Sequence, residues 1–200
     1  MADFTTTKTW NVGDTLAAAD MNTYVRDNTQ CLYDNAVLLL DKYEVTTTDV
    51  STITFDSISG DYSFLELRIW AQGGTSSTAK LSIRANNDTS TDSYEAIRYY
   101  TTNGSWDYNL YNPNSQFLYS VTLPNQDNTN EAGQTTCRIY GYADTNHYTV
   151  LEGSVVCYWP DNYAQQYAGM YKSTDAVTSL DISLAGGFAV GSKISLYGYR

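Results

Sequence analysis

The sequence predicts a mainly β protein in which an N-terminal arm and a single long α-helix lead into an antiparallel β-sandwich of jelly-roll type. Three observations carry this expectation. Apolar residues recur at helical spacing only between Leu16 and about Lys42. Beyond Lys42 they alternate with polar residues at period two. Short turn-forming clusters punctuate that second region without any βαβ alternation, which argues against a parallel α/β fold. A chain of 200 residues accommodates one head domain, residues 44–200, with residues 1–43 as its appendage.

Taken in order, residues 1–14 are Thr-rich and unpatterned, and Phe4, Trp10 and Val12 stand in them as isolated apolar side chains. An arm that docks on something accounts for such residues. Asp14 or Thr15 can cap a helix starting at Leu16, and Ala17, Ala18 and Ala19 supply strong helix propensity in its first turn. From there Met21, Val25, Asn28, Leu32, Asn35 and Leu39 recur at alternating spacings of four and three, the spacing of a coiled-coil seam. Two of the six are Asn. Buried polar residues in a seam fix register and strand number among identical helices, so the pattern predicts self-association through this helix; packing of the same stripe on the β-domain is the plainer alternative.

Strands follow. Ile53 and Phe55 alternate with Thr; Leu65, Leu67 and Ile69 alternate with Glu66 and Arg68; Leu81 and Ile83 alternate with Ser82 and Arg84. Further runs are expected at 94–101, 106–111, 117–123, 136–142, 148–158, 178–184 and 193–199. Turns separate them at Gly60-Asp61, Gly73-Gly74, Asn86-Asn87-Asp88, Asn103-Gly104, Pro124-Asn125 and Gly186-Gly187. The stretch Pro160 to Asp175 has weak periodicity and reads as a long loop over the sheet. Gly186 and Gly191, followed by Ser192 and Lys193, superficially suggest a phosphate loop. Lys does not directly follow the second Gly and a strand follows in place of a helix, so a hairpin connection is expected there.

Twenty-two acids against eleven bases give a net charge of −11, a field that repels phosphate backbones and anionic lipid. Nucleic acid and membrane are therefore not expected partners. Nineteen tyrosines against five phenylalanines suit half-buried strands and contact surfaces. Cys31, Cys137 and Cys157 lack CxxC spacing, and the first residues lack a leader's basic and apolar regions, which together predict buried free thiols and folding in a reducing cytoplasm. With one histidine, His147, no zinc site, cofactor or His-assisted nucleophile is expected, and no catalytic set stands out. The oxygen-rich stretches Asn86–Asp92 and Asp127–Glu131 are the only places where calcium is conceivable, and neither has EF-hand spacing.

The run from Trp10 to Asn28, with its aromatic, its Gly13-Asp14 turn and then Leu16-Ala17-Ala18-Ala19-Asp20-Met21-Asn22, resembles the opening of many tailed-bacteriophage virion proteins. The segment Leu81 to Thr89 is similar to a strand-turn unit of phage fibre and head-decoration β-domains, and Phe188 to Gly198 to their closing strand. What this resemblance implies is a non-enzymatic virion structural protein, a head fibre, capsid decoration or short tail fibre. Such a protein is commonly a homotrimer, attached to capsid or tail through its N-terminal portion. The alternative is a receptor-binding, lectin-like module that recognises a host surface glycan. Exposed aromatics with Asn and Asp in the Tyr99 to Trp106 and Trp159 to Tyr171 regions have the chemistry for it.

Overall fold

In the computed structural model, which describes residues 8–15, 17–34, 36–75, 79–90, 92–102, 105–114, 118–125, 131–157 and 163–200, strands dominate. They are β1 (Val37–Glu44), β2 (Thr52–Phe55), β3 (Phe64–Ala71), β4 (Ala79–Ala85), β5 (Tyr94–Thr102) and β6 (Ser105–Asn114). The second half adds β7 (Leu118–Leu123), β8 (Gly133–Tyr140), β9 (Thr149–Cys157), β10 (Tyr163–Tyr171), β11 (Leu180–Leu184) and β12 (Lys193–Tyr199). All pairings are antiparallel.

One sheet has the order β1-β12-β3-β8-β9-β10-β5-β6 and the other β2-β11-β4-β7. With β5, β6, β9 and β10 set aside, β1-β12-β3-β8 faces β2-β11-β4-β7, and consecutive strands alternate between the sheets except at β4 and β7, which both lie in the smaller one. That is the double Greek key of a jelly roll. The four remaining strands are two insertions, β5–β6 and β9–β10, which join each other and widen the larger sheet on one side. Inward residues alternate as the sequence predicts: Leu65, Leu67 and Ile69 of β3 and Ile194 and Leu196 of β12 meet Leu81, Ile83, Leu180 and Ile182 of the smaller sheet. Cys31, Cys137 and Cys157 are free and buried, and burial pushes the thiol of Cys137 up to about 12.

Three expectations are corrected. The helix does not reach Lys42. It comprises α1 (Ala18–Asp20), a π-helical stretch (Met21–Asp27) and α2 (Asn28–Asp34), and the chain then enters β1. Asn28 Nδ2 and Thr29 Oγ1 donate back to the carbonyls of Tyr24 and Val25, bonds that compete with regular α-helical pairing where the helix widens. Leu38, Leu39 and Leu40 favour a helix locally, but pairing with β12 across a bulge at Leu39/Asp41 wins, so Leu39 lies on a strand.

Pro160 to Asp175 is not a long loop, because Tyr163–Tyr171 forms β10 in the interior of the large sheet. Its inward side carries Gln165 and Gly169 and its outward side Ala168 and Met170, so polarity does not alternate and period two is masked. Finally, the Gly186–Gly191 segment crosses from β11 in one sheet to β12 in the other and is no hairpin. Gly186, Gly187 and Gly191 all have positive φ there.

Candidate functional site

The insertions make the large sheet eight strands wide against four in the smaller one, and its outward face is correspondingly broad. Register lines its residues into cross-strand rows. One row runs Tyr197, Glu66, Arg138, Glu152, Ala168, Ile97 and Leu110 from β12 to β6. Its neighbour carries Thr136, Ser154, Gln166, Tyr99 and Tyr108 from β8 to β6.

Between these rows lies a groove of about 520 Å³, walled by Arg138, Glu152 and Tyr99 and floored by Gly153 and Ala168. The small outward side chain of Ala168 leaves the depression between them. Gly153 belongs to the inward row between Cys137 and Tyr167, where a Cβ would run into the Thr136 carbonyl and the Tyr167 hydroxyl, so no side chain fits beneath the groove without movement. That hydroxyl is buried and shares a 2.6 Å hydrogen bond with Thr135 Oγ1, which pins β10 to β8 beneath the groove. An adjoining apolar basin of about 420 Å³, lined by Ile97, Leu110, Val150 and Met170, shares Ile97 and Ala168 with it.

The groove's charged wall is held from behind. Glu66 points to the outward side of β3 yet is only 2% exposed. Arg68 Nε donates to its Oε1 at 2.7 Å, Arg138 Nε to its Oε2 at 3.1 Å, and the Tyr199 hydroxyl to Oε1 at 3.1 Å. Arg68 also lies over the Tyr197 ring, 4.6 Å from its centroid. On the next strand Tyr140 donates to Glu152 Oε1 at 3.0 Å. Arg138 and Glu152 are thus fixed in place before anything binds, each with exposed surface.

Burial pushes the Glu66 carboxyl up, and the hydrogen bonds from Arg68, Arg138 and Tyr199 more than offset it, leaving it below the ordinary carboxylate value. A carboxylate with a lowered folded pKa adds stability above its unfolded value, and that contribution disappears as pH falls through the folded one. Glu66→Gln, which turns an amide NH₂ toward an arginine, is expected to melt about 4–8 °C below the parent at pH 7, for a loss of about 2 kcal/mol. The gap should close on acidification below about pH 4. Melting curves across that range check it, and an equal gap at pH 3 and pH 7 overturns it.

Of the regions singled out from the sequence, 99–106 supplies Tyr99 to the groove and 159–171 supplies Gln166 and Ala168, whereas the arm and seam residues lie elsewhere. Phe4 and Asn35 fall outside the described residues. Trp10 is partly exposed beneath Lys8, whose Nζ is 4.5 Å from its ring centroid and 2.7 Å from Asp20. Val12 is fully exposed. Of the seam, Met21, Val25 and Leu32 are 41%, 48% and 63% exposed, whereas Asn28 is buried within the same chain with its amide on the Tyr24 carbonyl. Leu39 belongs to the outward face of β1, opposite Tyr197. Among the described residues the helix touches the strands sparsely. Its C-terminal end is held by Arg200, whose Nη2 donates to the Tyr33 hydroxyl at 2.7 Å.

Sequence reasoning missed Arg138, Glu152, Ser154 and Gly153, which come from two neighbouring strands. Alternation marks them as outward, and only the register shows that they converge with Tyr99. Among the described residues no group of three or more His, Cys, Asp or Glu side chains is placed to hold a metal ion. In the Asn86–Asp92 loop, Asn86 Oδ1 instead accepts from the amides of Thr178 and Ser179. Among the described residues no helix is long and apolar enough to cross a membrane.

No family model and no curated protein matches the chain. A solved structure of a protein of unknown function from Shewanella oneidensis MR-1 is similar over 81% of this chain and 75% of its own, at 11% identity and a TM-score of 0.19. A likeness at that level carries no argument.

Proposed function

We propose that the chain is a non-enzymatic virion structural protein of the tailed-phage type. In this reading it is a homotrimeric surface fibre or capsid decoration protein, held to its particle by the N-terminal arm and helix. The observation that carries the reading is the uncovered apolar stripe Met21, Val25 and Leu32 on a helix that, among the described residues, touches its own β-domain sparsely. Burying such side chains contributes roughly 25 cal/mol per Å² of apolar surface, so the stripe gains most from cover supplied by other chains. The exposed Val12 and half-covered Trp10 in the adjoining arm extend that apolar surface toward a particle. The jelly roll supplies a rigid outward head, and the net charge of −11 disfavours nucleic acid and anionic lipid as alternatives.

Light scattering on the full chain is expected to return three times the chain mass of 22.3 kDa. Immunogold labelling of tailed particles from cells expressing the gene should then decorate head or tail surfaces. Unlabelled particles overturn the virion reading, and a monomeric mass overturns the trimer.

A further inference from the structure

We infer that the groove on the outward face of the large sheet binds a neutral oligosaccharide. The site lies wholly within one chain, so this inference stands apart from the trimer and from attachment to a particle.

Four features of the groove point to that ligand class. Tyr99 presents an exposed ring at one side and makes a tilted contact with Tyr108, their centroids 6.3 Å apart. Such a ring offers the flat apolar face against which the C–H side of a pyranose packs. Opposite and alongside it stand the two polar rows: the hydroxyls of Thr136 and Ser154, the amide of Gln166, and the planar charged groups of Arg138 and Glu152. Sugar hydroxyls donate and accept at once, so amide, carboxylate and guanidinium groups side by side match them better than a uniformly apolar or uniformly charged wall does.

Third, the wall is preorganised. Arg138 is tied through Nε to Glu66 and Glu152 through Oε1 to Tyr140, and all of these residues stand on paired strands. Little side-chain freedom remains to be lost on binding, which is the main cost for a weak, hydroxyl-rich ligand. Fourth, the volume of about 520 Å³ falls in the range of about 300–1,000 Å³ typical of small-ligand sites. The charge balance selects the neutral class. Arg68 and Arg138 are balanced by Glu66 and Glu152, so the wall carries no net positive charge to hold an acidic sugar, and the chain as a whole, at −11, repels one.

The test is affinity gel electrophoresis of the full chain in gels containing dextran, amylopectin, galactomannan, xyloglucan, mixed-linkage β-glucan or yeast mannan, with alginate and hyaluronan as acidic comparators. Retardation by at least one neutral polysaccharide is expected, and Tyr99→Ala should weaken it at least tenfold. Gln166→Ala, which removes a hydrogen-bonding group without touching the ring, should weaken it in the same direction. Thr52→Ala on the outward face of the smaller sheet should leave it unchanged, and melting curves establish that each variant is folded. Retardation by none of the neutral polymers, retardation only by the acidic ones, or equal retardation of the parent and both groove variants overturns the inference.

Discussion

Replacing Tyr94 by alanine should lower the unfolding free energy by about 3–5 kcal/mol. For a chain of this length that corresponds to a loss of roughly 6–20 °C in Tm. Tyr94 opens β5, where the chain leaves the smaller sheet and enters the larger one. It has no exposed surface, its ring stacks on Tyr171 at 4.9 Å, and its hydroxyl donates to the Ala85 carbonyl at 3.0 Å and accepts from the Ala85 amide at 3.2 Å. Alanine removes the ring and leaves a cavity at a corner with little freedom to collapse. Phenylalanine keeps the ring and removes only the hydroxyl, so its cost should be about 1–3 kcal/mol, that of an unsatisfied buried donor. Thermal or urea unfolding of both variants separates packing from hydrogen bonding. Equal losses in the two variants would mean that the hydroxyl, not the ring, secures the corner.

The second large effect concerns assembly. A triple variant, Met21→Ser, Val25→Ser and Leu32→Ser, should reduce the solution mass from three chains to one chain of 22.3 kDa. The melting temperature of the β-domain should stay almost unchanged, because all three side chains are solvent-exposed within the single chain and exposed substitutions stay within about 0.5 kcal/mol. Asn28→Leu is the informative contrast. Asn28 is turned in against its own chain, so this change should alter helix stability and not the mass. A trimer that survives the triple change places assembly on another surface.

The core strands were legible because their environment is simple. In β3, β4 and β8 one face is buried and the other is wet, so alternation alone identifies both strand and facing. The order β1-β12-β3-β8 against β2-β11-β4-β7 keeps consecutive strands in opposite sheets except at β4 and β7, and the jelly-roll expectation holds despite two insertions. What failed did so where tertiary pairing outweighed local preference. Three consecutive leucines in β1 read as helix, and β10, with Gln and Gly facing inward and Ala and Met outward, has no polarity signal to read. Glu66 sits at a position the alternation marks as outward, yet neighbours from β8 and β12 enclose it. The groove was half legible. Tyr99 stands out as an aromatic on a polar-rich strand, but its meeting with Arg138 and Glu152 depends on a register set by strands about forty and fifty residues away.

The placement of β1 has a consequence for how the chain is made. Among the described residues its strand partner is β12, far along the sequence at Lys193–Tyr199, so Val37–Glu44 waits unpaired until those residues have emerged. During that interval Leu38, Leu39 and Leu40 adjoin a helix whose periodicity runs straight into them, and their local preference is to extend it. Closure of the large sheet at β1 therefore joins segments far apart in sequence and is expected as a late step in folding. Newly made chains caught before it would carry an unpaired leucine-rich segment beside an open edge of β12, the form most prone to associate wrongly.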